Sequence, residues 1–255
     1  MKKVKIGNKE YSKIIAGTNP FYGHSHFSIA RDSEYKKRFS ENYIKNVLKL
    51  CITKGVNTIE TSGNDRILSI INDIIRADKI NLVGTTRIDE TSPIKSHQAK
   101  LKYLIVNRAD ICIIHSQFVD RPGSSDEIKG LQSMVDEIHA AGLLAGISTH
   151  KNSTIEFCEK KYNIDVYLYP MNMLGFVHPL YDGNETVKDR IDLINNTNKQ
   201  FIIMKTLAAG RIPPNEGLKF VLDNIKDNDL ITLGLGSCEE VEESLDIVNL
   251  HLSDK

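Results

Sequence analysis

Eight short apolar runs, spaced almost evenly and each followed by a segment of helical periodicity, constrain this chain more than anything else in it. The runs are 13–18, 58–62, 81–86, 111–115, 144–149, 166–170, 201–206 and 230–235. After them, apolar residues recur at i, i+3, i+4 and i+7 near 42–54, 65–77, 94–108, 126–141, 152–162, 185–197, 215–226 and 238–250. Strands that are apolar nearly throughout need both sheet faces covered, as in a parallel sheet wrapped by helices. Eight such units without a linker predict an α/β fold, a single (β/α)8 TIM barrel over residues 1–255. An open doubly wound sheet fits less well, because no GxGxxG follows the first run. The alternating segment around Gly7-Asn8 predicts an N-terminal β-hairpin over 1–12 that plugs the barrel bottom. Gly55 and Gly142 read as helix C-caps, and Asn152 or Ser153 as an N-cap. Residues 19–41 are expected to form a long first βα loop over the barrel mouth.

Composition excludes several partners. The 255 residues hold 33 Lys+Arg against 33 Asp+Glu, so no cationic surplus draws the chain to nucleic acid or to an anionic membrane. A small-molecule substrate is expected instead. No apolar run approaches the roughly 18 residues of a spanning helix, and the opening segment is basic where a signal peptide is apolar. A cytoplasmic location is expected. Cys51, Cys112, Cys158 and Cys238 lack CxxC spacing and read as small buried hydrophobes.

In such a barrel the active site lies at the carboxyl ends of the strands, so residues far apart in sequence form one constellation. In order they are Asn19, Tyr22, His24 and His26; Glu60; Thr86 and Arg87; His115 and Gln117; Ser148 and His150; Tyr169 and Asn172; Lys205; and Ser237. Asn19, His24, Arg87, His150 and Asn172 are candidate substrate ligands. Their polarity suits a small hydroxylated or anionic compound such as a sugar or sugar acid. At the last βα turn, Gly236, Ser237 and the amides opening the final helix form a candidate phosphate cradle, because unpaired N–H groups and the helix dipole favour an anion there. His24, His115, His150 and Glu60 together would suit a divalent metal such as zinc, although no helical HExxH supports one. Without metal, the same groups beside Lys205 would move protons in an isomerase, epimerase or lyase reaction, with Lys205 neutralising an enolate or forming a Schiff base.

Several segments resemble those of the aldo-keto reductases. The hairpin precedes IIAGT; GVNTIETS resembles the family's G-x-x-x-I-D-T-A, DICIIH its D-I-L-L-L-H, and AGIST its G-V-S-N. PMNML is similar to P-Y-N-L-L, KTLAAGRI to P-L-A-G-G-L-L, and GLGSCEEVEESL to the closing P-G-A-x-x-x-E-Q-V-E-E-N. The resemblance spans the whole chain. It implies carbonyl/alcohol oxidoreduction with NAD(P), with His115 and Glu60 at the family's histidine and aspartate positions and Ser148 on the nicotinamide amide. The pattern departs at the family's tyrosine, which is missing after ETSGND, and at its lysine, where Thr86 stands with Arg87 one residue on. Thr149 and Tyr167 replace the family's Asn and Gln beside Ser148. Tyr22 and Lys205 are the candidate replacement acids. No cation after the eighth strand clamps a 2′-phosphate, so NADH is expected to bind at least as well as NADPH.

Overall fold

The computed structural model describes residues 1–23, 28–63, 65–88, 94–120, 127–178, 181 and 183–253, without the side chains of Lys36, Asp65 and Arg76. Strands β1 (Lys3–Ile6) and β2 (Lys9–Ser12) form an antiparallel hairpin, Ile6 opposite Lys9, with Gly7 at φ +57° in its turn. Eight parallel strands then close a barrel: β3 (Ile14–Gly17), β4 (Thr58–Thr61), β5 (Asn81–Thr85), β6 (Ile111–Ile114), β7 (Leu144–Ser148), β8 (Val166–Pro170), β9 (Gln200–Met204) and β10 (Leu230–Gly234). They follow chain order, and β10 pairs with both β9 and β3, in register Leu230 to Ile202 and Ile231 to Ile14.

The pleat sorts each strand into two cores. Ile14, Ile59, Leu82, Cys112, Ile114, Ala145, Ile147, Tyr167, Phe201 and Ile231 point outward into the layer beneath the helices. Ile15, Val83, Ile111, Ile113, Val166, Leu168, Ile202 and Leu230 point inward, where Val4, Ile6 and Tyr11 of the hairpin join them. The hairpin is therefore the floor of the barrel, as its alternation predicts. Inside, large and small residues interlock: a Cβ on Gly146 would lie 2.3 Å from Ile113 Cδ1 and 2.9 Å from the Val166 carbonyl. Burial pushes the Cys51, Cys112 and Cys158 thiols up to about 12, so they behave as small apolar groups.

The covering helices include α1 (Ile29–Arg38), α2 (Glu41–Thr53), α3 (Asp65–Asp78), α4 (His97–Val106), α5 (Ser116–Val119), α6 (Leu131–Ala140), α7 (Asn152–Lys161), α8 (Val187–Asn196), α9 (Pro214–Asn224) and α10 (Cys238–Ser253). Two differ from expectation. The segment 19–41 is not a plain loop: a 3-10 turn (Asn19–Tyr22) and α1 fill much of it, with the Ser28 hydroxyl accepting from Arg31 N–H at the start of α1. Its polar sequence hides the helix from hydrophobic periodicity, while Phe39 anchors it against Phe21 at 5.2 Å between ring centroids. Asn152 is the first helical residue of α7 rather than its cap, because its side chain serves Tyr169 and Asp189 instead. Gly55 and Gly142 do follow their helices with positive φ. Among the described residues no helix is long and apolar enough to cross a membrane.

Candidate active site

A cavity of about 1030 Å³ opens at the carboxyl ends of the strands. The period-2 pleat aims residues into it: Ile59 and Ile147 face outward, so Glu60 and Ser148 beside them face inward. Arg87, His115, His150 and Lys205, each just past a strand end, complete the polar lining.

Glu60 is only 8% exposed, yet its carboxyl has no hydrogen bond or ion pair among the described residues. Burial pushes it up to about 7, an effect that Arg87 only partly counters. Near neutral pH it therefore exists as both acid and base. Arg87, half-buried in the same cavity, also lacks a hydrogen-bonded or ion-paired partner among the described residues. The Ser148 hydroxyl is likewise unpaired and faces the space. His115 is held by its ends: its N–H donates to Thr86 Oγ1 at 3.0 Å, and its Nδ1 accepts from Gln117 N–H at 3.3 Å. Burial, together with Arg87, His150 and His97, pushes the ring down to about 3. The imidazole is thus neutral, and with Nδ1 accepting, its proton sits on Nε2 as a donor.

Across the mouth, Lys205 Nζ lies 3.1 Å from His150 Nε2 and donates to the Val177 carbonyl at 2.5 Å. His150 Nδ1 stands 3.4 Å from Asp120 Oδ2, which also accepts the His150 backbone N–H at 2.9 Å. Desolvation, Arg87 and Arg190 lower Lys205 to about 8. Burial would raise Asp120, but hydrogen bonds from His150 and Thr149 hold it below the usual carboxylate range. Asp120 is absent from the sequence-based set. It follows the short α5 rather than a strand, and no periodicity or motif marks it.

The other expected residues divide. Asn19 lines the cavity. Tyr22 turns its hydroxyl to Thr61 Oγ1 at 2.5 Å and is not among the cavity-lining residues. Asn172 is buried and spends its amide on the loop: Nδ2 donates to Phe176 and Lys205 carbonyls, and Oδ1 accepts from Leu174 and Phe176 N–H. It positions Lys205 rather than facing the space. His24 and His26 lie outside the described residues. Among those described, no cluster of three His, Cys, Asp or Glu is disposed to hold a metal ion.

A nicotinamide dinucleotide fits one end of this cavity and not the other. Ser148 is free at the inner end, and the lining continues past Ala209 and Gly210 to Glu240, Glu243 and Ser244 of α10. At that outer end the candidate phosphate cradle is already used: Gly236 N–H donates to Glu240 Oε2 at 2.7 Å, and Ser237 Oγ accepts from Glu240 N–H at 3.2 Å. A carboxylate of the chain itself holds the anion position. Beside Ser148, Thr149 gives its hydroxyl to Asp120, and Tyr167 points outward to Glu159. The residues present do not fit the whole cofactor.

No protein-family model matches this sequence, and none of the curated proteins does. Its backbone, however, is similar to those of solved aldo-keto reductases. It superposes with a TM-score of 0.72 and 14% identity on a Pseudomonas aeruginosa protein assigned to that family, covering 98% of this chain and 95% of the other. A glycerol dehydrogenase from Gluconobacter oxydans matches at 0.68 and 12% identity, over 99% and 93% of the two chains. An aldo-keto reductase from Bacillus halodurans matches at 0.68 and 14%, over 100% and 96%.

Proposed function

We propose that this chain is an enzyme that moves protons at the carbonyl group, or the carbon beside it, of a small, hydroxylated, negatively charged substrate such as a sugar acid. The observation that carries the reading is a pair of ionisable groups, Glu60 and Lys205, both brought close to neutrality by burial and lining one cavity. Groups whose environments hold them near the working pH exchange protons at low cost in either direction. Arg87, unpaired, supplies the charge for a carboxylate or phosphate. His115 Nε2–H donates to the carbonyl oxygen and stabilises negative charge developing on it, which a neutral imidazole does without releasing its proton. Ser148 binds a substrate hydroxyl. The reaction class is then isomerase, epimerase or lyase.

A second reading, nicotinamide-linked carbonyl/alcohol oxidoreduction, is supported by the cavity's continuation from Ser148 to α10 and by the aldo-keto reductase fold. It requires Glu240 to leave the cradle.

One experiment separates the two. Incubating the protein with oxo acids, hydroxy acids and sugar phosphates in D2O, followed by NMR, is expected to give deuterium at the carbon beside the carbonyl without any dinucleotide. Absence of exchange, together with saturable quenching of NADH fluorescence, would replace the first reading with the second.

A further inference from the structure

We propose that Lys205 is a Schiff-base-forming lysine, and that Asp120 and His150 form a proton relay that keeps its amine nucleophilic. The inference rests on the reading above in one respect, that the substrate carries a carbonyl. Four segments converge to build the arrangement: Asp120 after α5, His150 after β7, Val177 after β8 and Lys205 after β9. A neutral amine has two N–H bonds and one lone pair. Val177 O and His150 Nε2 take the two N–H bonds, which leaves the lone pair without a protein partner in a cavity-lining group.

The supporting structure is specific. No carboxylate lies within ion-pair distance of Lys205 among the described residues, so nothing there fixes it as an ammonium. The charged and titratable groups acting on Lys205 and its relay are Arg87 after β5, His115 after β6, Asp120 after α5, His178 after β8 and Arg190 on α8, besides His150 itself. Asp120 is pinned by Thr149 and Thr154 hydroxyls at 2.5 and 3.1 Å, so its other oxygen has a fixed position toward His150. Lys205 itself sits at φ +63°, a conformation that is strained for a non-glycine residue and is retained where the surroundings enforce it. Asn172 Nδ2 at 3.0 Å and Ala208 N–H at 2.9 Å hold its carbonyl there.

The step balances within the site. The Nζ lone pair bonds to the carbonyl carbon, and the C=O π pair moves to oxygen, which takes the proton of the Glu60 carboxylic acid. The resulting ammonium nitrogen passes one proton to His150 Nε2; burial holds that ring below its usual range, and Asp120 at Nδ1 partly offsets this. His150 returns that proton to the hydroxyl, which departs as water as the nitrogen lone pair closes the C=N bond. An iminium and a Glu60 carboxylate remain, and no oxidant or reductant is consumed.

Reductive alkylation tests this on the intact protein. Glyoxylate with cyanoborohydride at pH 7.5, read by peptide mass spectrometry, is expected to modify Lys205 at least tenfold faster than the exposed Lys49 and Lys102. In His150→Gln that rate should fall at least tenfold while Lys49 and Lys102 are unchanged. Asp120→Asn should act in the same direction, and His150→Gln stands as the readout if loss of the Thr149 and Thr154 contacts unfolds that variant. Arg87→Gln should slow Lys205 with formaldehyde, because a cation that lowers the amine is lost, and should slow it further with glyoxylate, whose carboxylate Arg87 also binds. Modification of Lys205 no faster than of Lys49 and Lys102, or a rate indifferent to His150→Gln, overturns the proposal. Because the labelling reads the amine without turnover, rapid labelling beside a failed D2O exchange would discredit the assigned reaction and leave the relay standing.

Discussion

Glu60 is buried without a partner, and its replacement has a calculable consequence. Its carboxyl rises from about 4.5 toward about 7 on folding, so the folded chain binds the extra proton between those values and loses stability as pH climbs through them. Glu60→Gln removes that penalty. The variant should match the native chain below pH 4.5 and exceed it above pH 7 by at most about 3 kcal/mol, which denaturant unfolding across pH would measure. Its activity should lose the limb near pH 7. His115→Phe should lower kcat/KM by about 10²–10³, the usual effect of one lost oxyanion donor, and His115, depressed to about 3, should contribute no limb near pH 6.5. Glu60, His115, Ser148 and Lys205 were legible in the sequence because strand ends in a barrel converge. Asp120 was not, because its partner ring lies thirty residues on and only closure of β6 against β7 joins them.

Among the elements, α10 shows how a segment that reads as a phosphate-binding turn can be filled by a side chain of the chain itself. The closing segment still reads as a phosphate-binding turn, but Glu240 folds back on Gly236 while Ser237 caps Glu240, a reciprocal arrangement close to a capping box. Sequence patterns report which residues open a helix; they do not report whether those amides stay free. Ser237→Ala should cost about 1 kcal/mol, as for other lost caps. Glu240→Ala should free the Gly236 amide and remove a negative charge, tightening NADH binding at least tenfold if α10 is a phosphate seat at all. A fluorescence titration with native protein, Glu240→Ala and Ser237→Ala would decide it. The helix within 19–41 is hidden for a related reason: α1 is held by a cap and by Phe39 at its end, signals that hydrophobic periodicity does not carry.

For the molecule as a whole, the strand order was readable because eight parallel units with short connections leave few ways to close. The floor was readable because alternation marked the hairpin. Removing residues 1–12 would take Val4, Ile6 and Tyr11 out of the buried cluster they share with Ile15, Ile111, Ile202 and Leu230. Each buried aliphatic side chain is worth about 1.5–3 kcal/mol, so the truncated chain should unfold at least ten degrees lower in a thermal melt, or fail to fold. The floor also sets an order of events during synthesis. The hairpin leaves the ribosome before every barrel strand, but the cluster it joins includes Leu230, and the barrel closes only when β10 reaches β3. For most of translation its apolar face has no complete partner, so nascent chains stalled before residue 230 should depend on chaperones and be cut readily by protease, and those carrying an added C-terminal linker long enough to bring Ser253 out of the exit tunnel should not.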